Sequence, residues 1–425
     1  MRFKLGRFLL SLCLASNLFA EGARWGIEFP ASATVGGMFT ERFKNTLPES
    51  LATLDNPLRN SHGLFAPGLR VLALPSAKLG RHWFAHEAFQ ASTSRSFYYE
   101  SYHVRRSGQA NLLQGLLAYG KEGERYKLTV KAGKLGTAFG SFQTRYSDLD
   151  NPLIDSPLSY GSYALLRTDL IPCSVFDLQH QQLVHPNVSA YHCGPDESYR
   201  YGIRPVTTYG VMGSEIDVSV GRLDSRLQIA NSSPSNPKKM FASGQSVQWA
   251  AGGGYTLASG LRLGVSAFRG PWLDPVVDTR LPEGTSRRNF PATGIGVDVQ
   301  WARNRWSWNA EWQRFRFNYP NFTSSPFVSY GYAETKMIVN PILYLAVRLG
   351  YQNHGGVADT QVSSIPNYLP DRTSYEAVVG FRPNRHQLIK FGYLWLLSSP
   401  RYGPSDNVLG FQLVTKVPTF SKAIR

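Results

Sequence analysis

Three groupings of side chains in the 425-residue chain have types and spacings that could do chemistry. The first is a set of cations, Lys127, Lys131, Arg226, Arg262, Arg348, Arg382, Lys390 and Lys416, at alternate positions of otherwise apolar segments. Glu215, Asp217, Asp298, Glu334 and Glu376 occupy equivalent positions. Alternate residues of an extended chain share one face, so these side chains would line one surface. Eight cations against five anions would raise the local concentration of anions. The second grouping is Arg145, Asp148, Asp150, Asp155 and Arg167, acid and base mixed within 135–206, the longest segment without a clear strand pattern. A segment of that length is functional more often than idle. Folded into a lumen, it would narrow it with these charges; folded outside, it would cap it. The third grouping is Cys173 and Cys193, which bracket His180, His185 and His192. No zinc spacing accompanies them, and in an exported chain two cysteines favour a disulfide.

Enzymatic readings find little support. His86-Glu87 lacks the second histidine of a zinc helix, and no nucleophile elbow, phosphate loop or dinucleotide fingerprint occurs. His82, His86 and His103 have no motif around them. Asp148-Leu149-Asp150-Asn151 resembles the start of a calcium loop, but the glycine and terminal glutamate are missing. No metal and no cofactor are expected.

The elements that would position these residues write themselves at period two. Leu343, Leu345, Val347, Leu349 and Tyr351 alternate with Tyr344, Ala346, Arg348, Gly350 and Gln352. Ile389, Phe391, Tyr393 and Trp395 alternate with Leu388, Lys390, Gly392 and Leu394. The same holds at Tyr375–Phe381, Ile295–Trp301, Leu261–Ala267, Val247–Tyr255, Ile216–Val220 and Leu409–Leu413. Strands are expected near 68–75, 80–91, 96–104, 110–120, 124–134, 207–213, 215–222, 225–231, 245–256, 261–269, 294–303, 305–318, 327–339, 342–353, 373–382, 386–397 and 407–417. Residues 24–29 would supply a further first strand. Several run 9–12 residues, the length of a tilted membrane-crossing strand. Apolar faces ending in Tyr, Trp or Phe are what a transmembrane barrel turns toward lipid. A soluble β-sandwich would alternate too, with its apolar face inward, and the sequence does not say which way a face points. Strand length and export favour the barrel. The expected fold is all-β, a transmembrane antiparallel β-barrel of about 16 strands (14–18).

Short connections carry turn chemistry at Ser259-Gly260, Ala302-Arg303-Asn304, Asn340-Pro341 and Pro383-Asn384-Arg385. Longer ones are expected at 30–66, 270–292, 319–326, 354–371 and 398–406, the usual asymmetry of a barrel's two rims. In 305–318 the apolar set changes from Trp306, Trp308, Ala310 and Trp312 to Phe315, Phe317 and Tyr319. Such a parity switch predicts a β-bulge near Gln313–Arg314. Otherwise the strand leaves the bilayer there.

Arg2, Lys4 and Arg7 precede an apolar run, Phe8–Ala15, and then small residues. This is a secretory signal, expected to span 1–22 and to take Cys13 with it. Residues 23–425 would form one barrel domain with its long loop at 135–206. Only 17% of residues are charged and 13% are aromatic, which excludes disorder. The formal charge is +16, but the net excess at alternating positions is small, so this charge is weak evidence for an anion channel.

The stretch Lys131-Ala132-Gly133-Lys134-Leu135-Gly136-Thr137-Ala138-Phe139-Gly140, with the signal and the aromatic-ended strands, resembles Gram-negative outer-membrane porins, and among these the phosphate-selective porin superfamily. The resemblance implies a 16-stranded, homotrimeric diffusion channel for small hydrophilic solutes, with a preference for anions in some members. Its partners would be outer-membrane lipid and those solutes, without nucleic acid. Many such barrels end in an aromatic residue, whereas this chain runs past Phe420 to Arg425. A barrel with a rim enzyme or adhesive role, and a soluble secreted β protein, are the alternatives.

Overall fold

The computed structural model describes residues 25–41, 65–92, 109–161, 164, 166–178, 203, 205–206, 209–231, 247–257, 260–361, 363–368, 371–398 and 406–424. Long alternating segments need both backbone edges paired, and here each long strand pairs with the long strands before and after it. The strands are β1 (Trp25–Glu41), β2 (Phe65–Ala73), β3 (Ser76–Leu79), β4 (Trp83–Ser92), β5 (Gln109–Glu122), β6 (Tyr126–Gly136) and β7 (Tyr209–Val220). β8 (Leu223–Ala230), β9 (Gln248–Thr256), β10 (Leu261–Pro271), β11 (Pro291–Arg303) and β12 (Trp306–Phe317) follow. After the short β13 (Phe322–Ser324) come β14 (Phe327–Asn340), β15 (Leu343–His354), the short β16 (Val357–Asp359) and β17 (Ser364–Ile365), then β18 (Arg372–Asn384), β19 (Gln387–Ser398) and β20 (Asp406–Ile424).

Seventeen of these form one antiparallel sheet. β2 and β3 both pair with β1 and with β4. They are one wall strand interrupted at Leu74-Pro75, where proline offers no ladder donor. Sixteen wall strands result. β20 pairs back onto β1 from Trp25↔Ile424 to Glu41↔Asn407, so the sheet returns on itself and has no free edge.

The direction that the sequence left open is now fixed. Leu345, Val347, Leu349 and Tyr351 are exposed, while Tyr344, Ala346, Arg348, Gly350 and Gln352 are buried. β18 repeats this, with Tyr375, Ala377, Val379 and Phe381 exposed and Ser374, Glu376 and Gly380 buried. An apolar exterior around a charged interior is the reverse of a soluble sandwich, and it is the arrangement lipid demands. Exposed aromatics sit at both ends of the band: Trp83, Tyr126, Tyr255, Trp306 and Trp308 toward one rim, Trp249, Tyr351, Tyr375 and Trp395 toward the other. The first rim carries the short turns. Asn304 there adopts φ 53°, the left-handed region that asparagine tolerates. The other rim carries the long connections. There β13, β16 and β17 form a separate three-stranded sheet.

Several expectations are corrected. Residues 30–66 are not wholly a loop, because β1 continues to Glu41. The segments 207–213 and 215–222 are one strand, β7. β20 extends well beyond 417. The strand expected at 96–104 and the signal at 1–22 lie outside the described residues. The bulge near Gln313–Arg314 is absent: pairing runs unbroken from Trp306 to Phe317 on the β11 side and from Trp306 to Arg316 on the β14 side. Parity never switches. Glu311, Gln313, Phe315 and Phe317 are all buried on the inner face. Phe315 and Phe317 point inward because something apolar fills the lumen at their height.

Candidate functional site

What fills the lumen is the segment that leaves β6. Gly136 ends the strand, and Gly140 turns the chain at φ 79°. A Cβ on Gly140 would stand 2.0 Å from the Tyr160 hydroxyl, so glycine is required there by both conformation and space. Phe139 between them is wholly buried, packed edge-on to Phe268 at 5.1 Å and against Phe315 at 5.4 Å. The Ala-Phe-Gly run on which the sequence resemblance rested is therefore the hinge that directs the chain inward. The Gly140 carbonyl accepts from Arg226, and Gln228 donates to the Gly136 carbonyl at 2.7 Å.

Beyond the hinge the segment crosses to the opposite wall, where charged wall residues take hold of it. Glu311 accepts from the Ser141 backbone N–H at 3.0 Å, the Ser141 hydroxyl at 3.2 Å, Tyr160 at 2.9 Å and Tyr332 at 3.0 Å. Burial, and then the neighbouring Glu311 carboxylate, raise the Tyr160 phenol well above its ordinary value, so it stays a donor. Arg145 pairs with Glu334 and donates to the Tyr332 hydroxyl at 2.9 Å. Asp148 accepts from Thr34 at 2.7 Å and Arg70 at 3.1 Å. Arg348 bridges Glu334 at 2.9 Å and Glu376 at 3.3 Å, and donates to the Asp155 carbonyl at 2.8 Å. Glu376 in turn accepts from the Ile154 and Asp155 N–H groups at 2.9 and 3.0 Å.

Lys390 is the most enclosed of these. Its relative exposure is 0%, and its ammonium donates to the carbonyls of Asp148 at 2.6 Å, Asn151 at 2.7 Å and Leu153 at 3.0 Å. Three donors meet three acceptors, which is how a buried ammonium is tolerated. Apolar packing completes the seat: Leu153, Leu158, Leu166 and Phe142 join Val378, Leu388, Leu394 and Val414 of the wall in one buried cluster. The outer sheet holds the far leg, with the Val175 N–H donating to Asp359 at 2.9 Å. Backbone N–H groups, that of Val175 foremost, hold the Asp359 carboxyl below the usual carboxylate range.

The expected lining cations therefore separate into two sets. Arg226, Arg348, Arg382 and Lys390 grip the inserted segment, Arg382 through the Leu149 carbonyl at 3.4 Å. Lys127, Lys131 and Arg262 also face inward, and the ion pairs of Lys131 and Arg262 go to carboxylates of the wall. Lys127 and, nearer the turn rim, Lys416 are exposed. Lys131 pairs with Glu215 at 2.7 Å and Asp217 at 2.5 Å, and Arg262 with Asp224 and Asp298, each at 2.7 Å. Of the loop charges, Arg145, Asp148 and Asp155 are engaged with wall residues or their own backbone, and Arg167 pairs with Asp169 at 2.5 Å. Only Asp150 is exposed. These groups hold the segment in place more than they project from it. Cys173 is exposed with a free thiol, and Cys193 lies outside the described residues, so the expected bridge is not part of the described structure. His180, His185, His192 and His103 also lie outside them. No group of three or more potential metal ligands occurs among the described residues.

Sequence reading missed Thr34, Arg70, Tyr160 and Glu311. Thr34 sat in a stretch read as loop. Glu311 was legible, two positions from Gln313 on the face opposite Trp308 and Trp312.

No protein-family profile and no curated protein matches the chain. Solved structures do match. The outer membrane channel DcaP of Acinetobacter baumannii aligns over 94% of this chain and 99% of its own, at 8% identity and a TM-score of 0.53. This is the porin fold. OprB of Pseudomonas putida aligns over 92% and 94% of the two chains, at 10% identity and a TM-score of 0.53. An anion-selective porin from Comamonas acidovorans aligns over 92% and 100%, at 7% identity and a TM-score of 0.51. At such identities the porin fold is shared while lining residues are each chain's own.

Proposed function

We propose that the protein is an outer-membrane diffusion channel for small hydrophilic solutes. The observation that carries the reading is the inserted segment. It is clamped against β12–β20 and β1–β2, its hinge is held by Arg226 and Gln228 of β8 and by Phe268 of β10, and the path past it would run along β5–β7 and the Arg262 end of β10. Such a segment narrows a wide lumen without closing it, and selectivity then follows from diameter and lining charge. Among the described residues no constellation favours the alternatives, a rim enzyme or an adhesive barrel.

The path would be lined by Lys127, Lys131 and Arg262, and these support a preference for anions. The preference is expected to be weak, because Lys131 and Arg262 each stand between two carboxylates. The chain would be exported by a signal at 1–22, would reside in the outer membrane as a homotrimer, and would carry Cys173 paired with Cys193 in an oxidising compartment. Planar-bilayer recording tests the central claim. Discrete conductance steps are expected, with a reversal potential displaced slightly toward the anion value under a salt gradient. Absence of steps would sink the channel reading.

A further inference from the structure

On the inner wall, between the hinge and the turn rim, four adjacent strands build a site that takes no part in holding the segment. Arg262 of β10 donates from Nε and Nη2 to the two carboxylate oxygens of Asp224 on β8, at 2.9 and 2.7 Å. Its Nη1 donates to Asp298 on β11 at 2.7 Å. Gln300 donates to the same Asp298 oxygen at 3.1 Å. All three nitrogens of the guanidinium are thus bonded in its own plane, and what the group has left to offer is its two faces.

One face lies on the wall. A Cβ on Gly254 of β9 would stand 2.4 Å from Cζ of Arg262, 2.5 Å from Nη2 and 2.7 Å from Nε. The central carbon is the nearest of the three, so Gly254 meets the plane of the group and not its edge. Gly264 of β10 pairs in register with Gly254. A Cβ there would collide with the Asp298 carboxylate and stand 2.7 Å from Nη1 of Arg262. Two glycines therefore form a floor on which the guanidinium lies flat. The other face turns to the lumen: 22% of the side chain remains exposed although every nitrogen is bonded.

The floor adjoins the constriction. Gly252, two residues from Gly254 and so on the same face of β9, would set a Cβ 2.6 Å from the Ala138 carbonyl of the hinge. A solute that passes the hinge along the Arg262 end of β10 meets this flat surface next.

An ion triad that only tied β8 to β11 would need no glycine floor, and lysine could make it. A planar cation bonded around its edge, with one face open, is instead a surface on which a ring stacks. The surroundings choose the ring. Two carboxylates against one guanidinium leave a net negative charge, which disfavours planar anions. Asp224 is 43% exposed, so its oxygens keep acceptor capacity toward the lumen for an amino group on the edge of the ring. We propose that Arg262 is a stacking subsite for planar, uncharged heteroaromatic solutes that carry amino groups, nucleobase-like in shape, and that it holds them briefly in transit. The inference rests on the channel reading and names a class of solute for it.

The test uses the full folded chain in planar bilayers. Adenosine, sucrose and benzoate are added at equal concentration, and residence is read from blockade of the open-channel current. Adenosine should reside longer than sucrose, a non-planar solute of similar size, and longer than benzoate, which is planar but anionic. R262K keeps the charge and loses the flat face. It should shorten adenosine residence about three- to tenfold relative to sucrose, the scale of a partly shielded cation–π contact. G254A keeps the arginine but lifts its guanidinium off the floor, and should shorten that residence as well. Heat-modifiable mobility shows whether each variant is folded. Equal residence of adenosine and sucrose in wild type, an adenosine-to-sucrose ratio unchanged in either variant, or benzoate residence matching that of adenosine would each overturn the proposal. Conductance steps without discrimination among the probes defeat this inference alone, whereas absence of steps defeats the channel reading beneath it.

Discussion

Lys390 shows how much one residue can hold in a channel wall. Its ammonium satisfies three carbonyls of the inserted segment at once. Replacing it by methionine keeps the bulk and strands those acceptors away from water. Stranded buried acceptors cost about 1–3 kcal/mol each when nothing replaces the donor. K390M should therefore lower the thermal midpoint of the barrel and make single-channel current noisier, because the segment loses its anchor at Asp148–Leu153. An unchanged midpoint together with quiet current would contradict this. Asp359 offers a pH test. Its carboxyl is depressed in the folded state by N–H donors, that of Val175 first. The stability it contributes is thus present above its ordinary value of 3.8 and is lost as pH falls through the lower folded value. Protection of the Val175, Gln361 and Ser363 amides, measured against their intrinsic exchange rates at each pH, should fall in that acid window. In D359N that protection should be low already and should not change across the window.

At the scale of elements, the strands were legible because a wall between lipid and water must alternate at period two, and the sequence does so from Val247 to Leu413 with few breaks. The misreadings have a common physical origin. Alternation reports only the outer face's partner, which is lipid throughout, whereas the inner face changes partner with height. Where the inserted segment packs, Phe315, Phe317 and Leu394 turn inward and the contrast fades. That produced the expected bulge in β12, which the unbroken register excludes. The segment's own path was not legible, since its anchors come from strands far away in sequence, such as Thr34 with Asp148, 114 residues apart. Which cations grip and which line the path could not be read from parity, because both kinds face inward. Gly140 is the element-level test. An alanine there meets a left-handed backbone and the Tyr160 hydroxyl together, a strain of about 1–3 kcal/mol. G140A should release the hinge, raise conductance and expose the segment to proteases, while the heat-modifiable barrel survives.

For the whole molecule, charge selectivity is a sum over the clear wall and not over the chain. The formal +16 counts the cations of residues 1–22, loops and outward-facing arginines along with those of the inner wall. On this account K127E/K131E should move the reversal potential decisively toward cations, since it removes two positive charges from the path and adds two negative ones. R348Q, under the segment, should alter stability more than selectivity. A reversal potential insensitive to K127E/K131E would place the path elsewhere.

The seam between β1 and β20 has its own consequence for how such a wall can be made. Trp25 meets Ile424, so the final rung of the ladder joins the two far ends of the strand order, and no earlier stage of synthesis can complete it. A chain lacking the 19 residues of β20 would present two unpaired edges, those of β1 and β19, with no partner in its own sequence. Biogenesis of the wall is then a ring-closure problem: a nascent chain needs an external guardian of its open edges until β20 arrives, and a premature stop codon that removes β20 alone should be as disabling as one that removes half the wall.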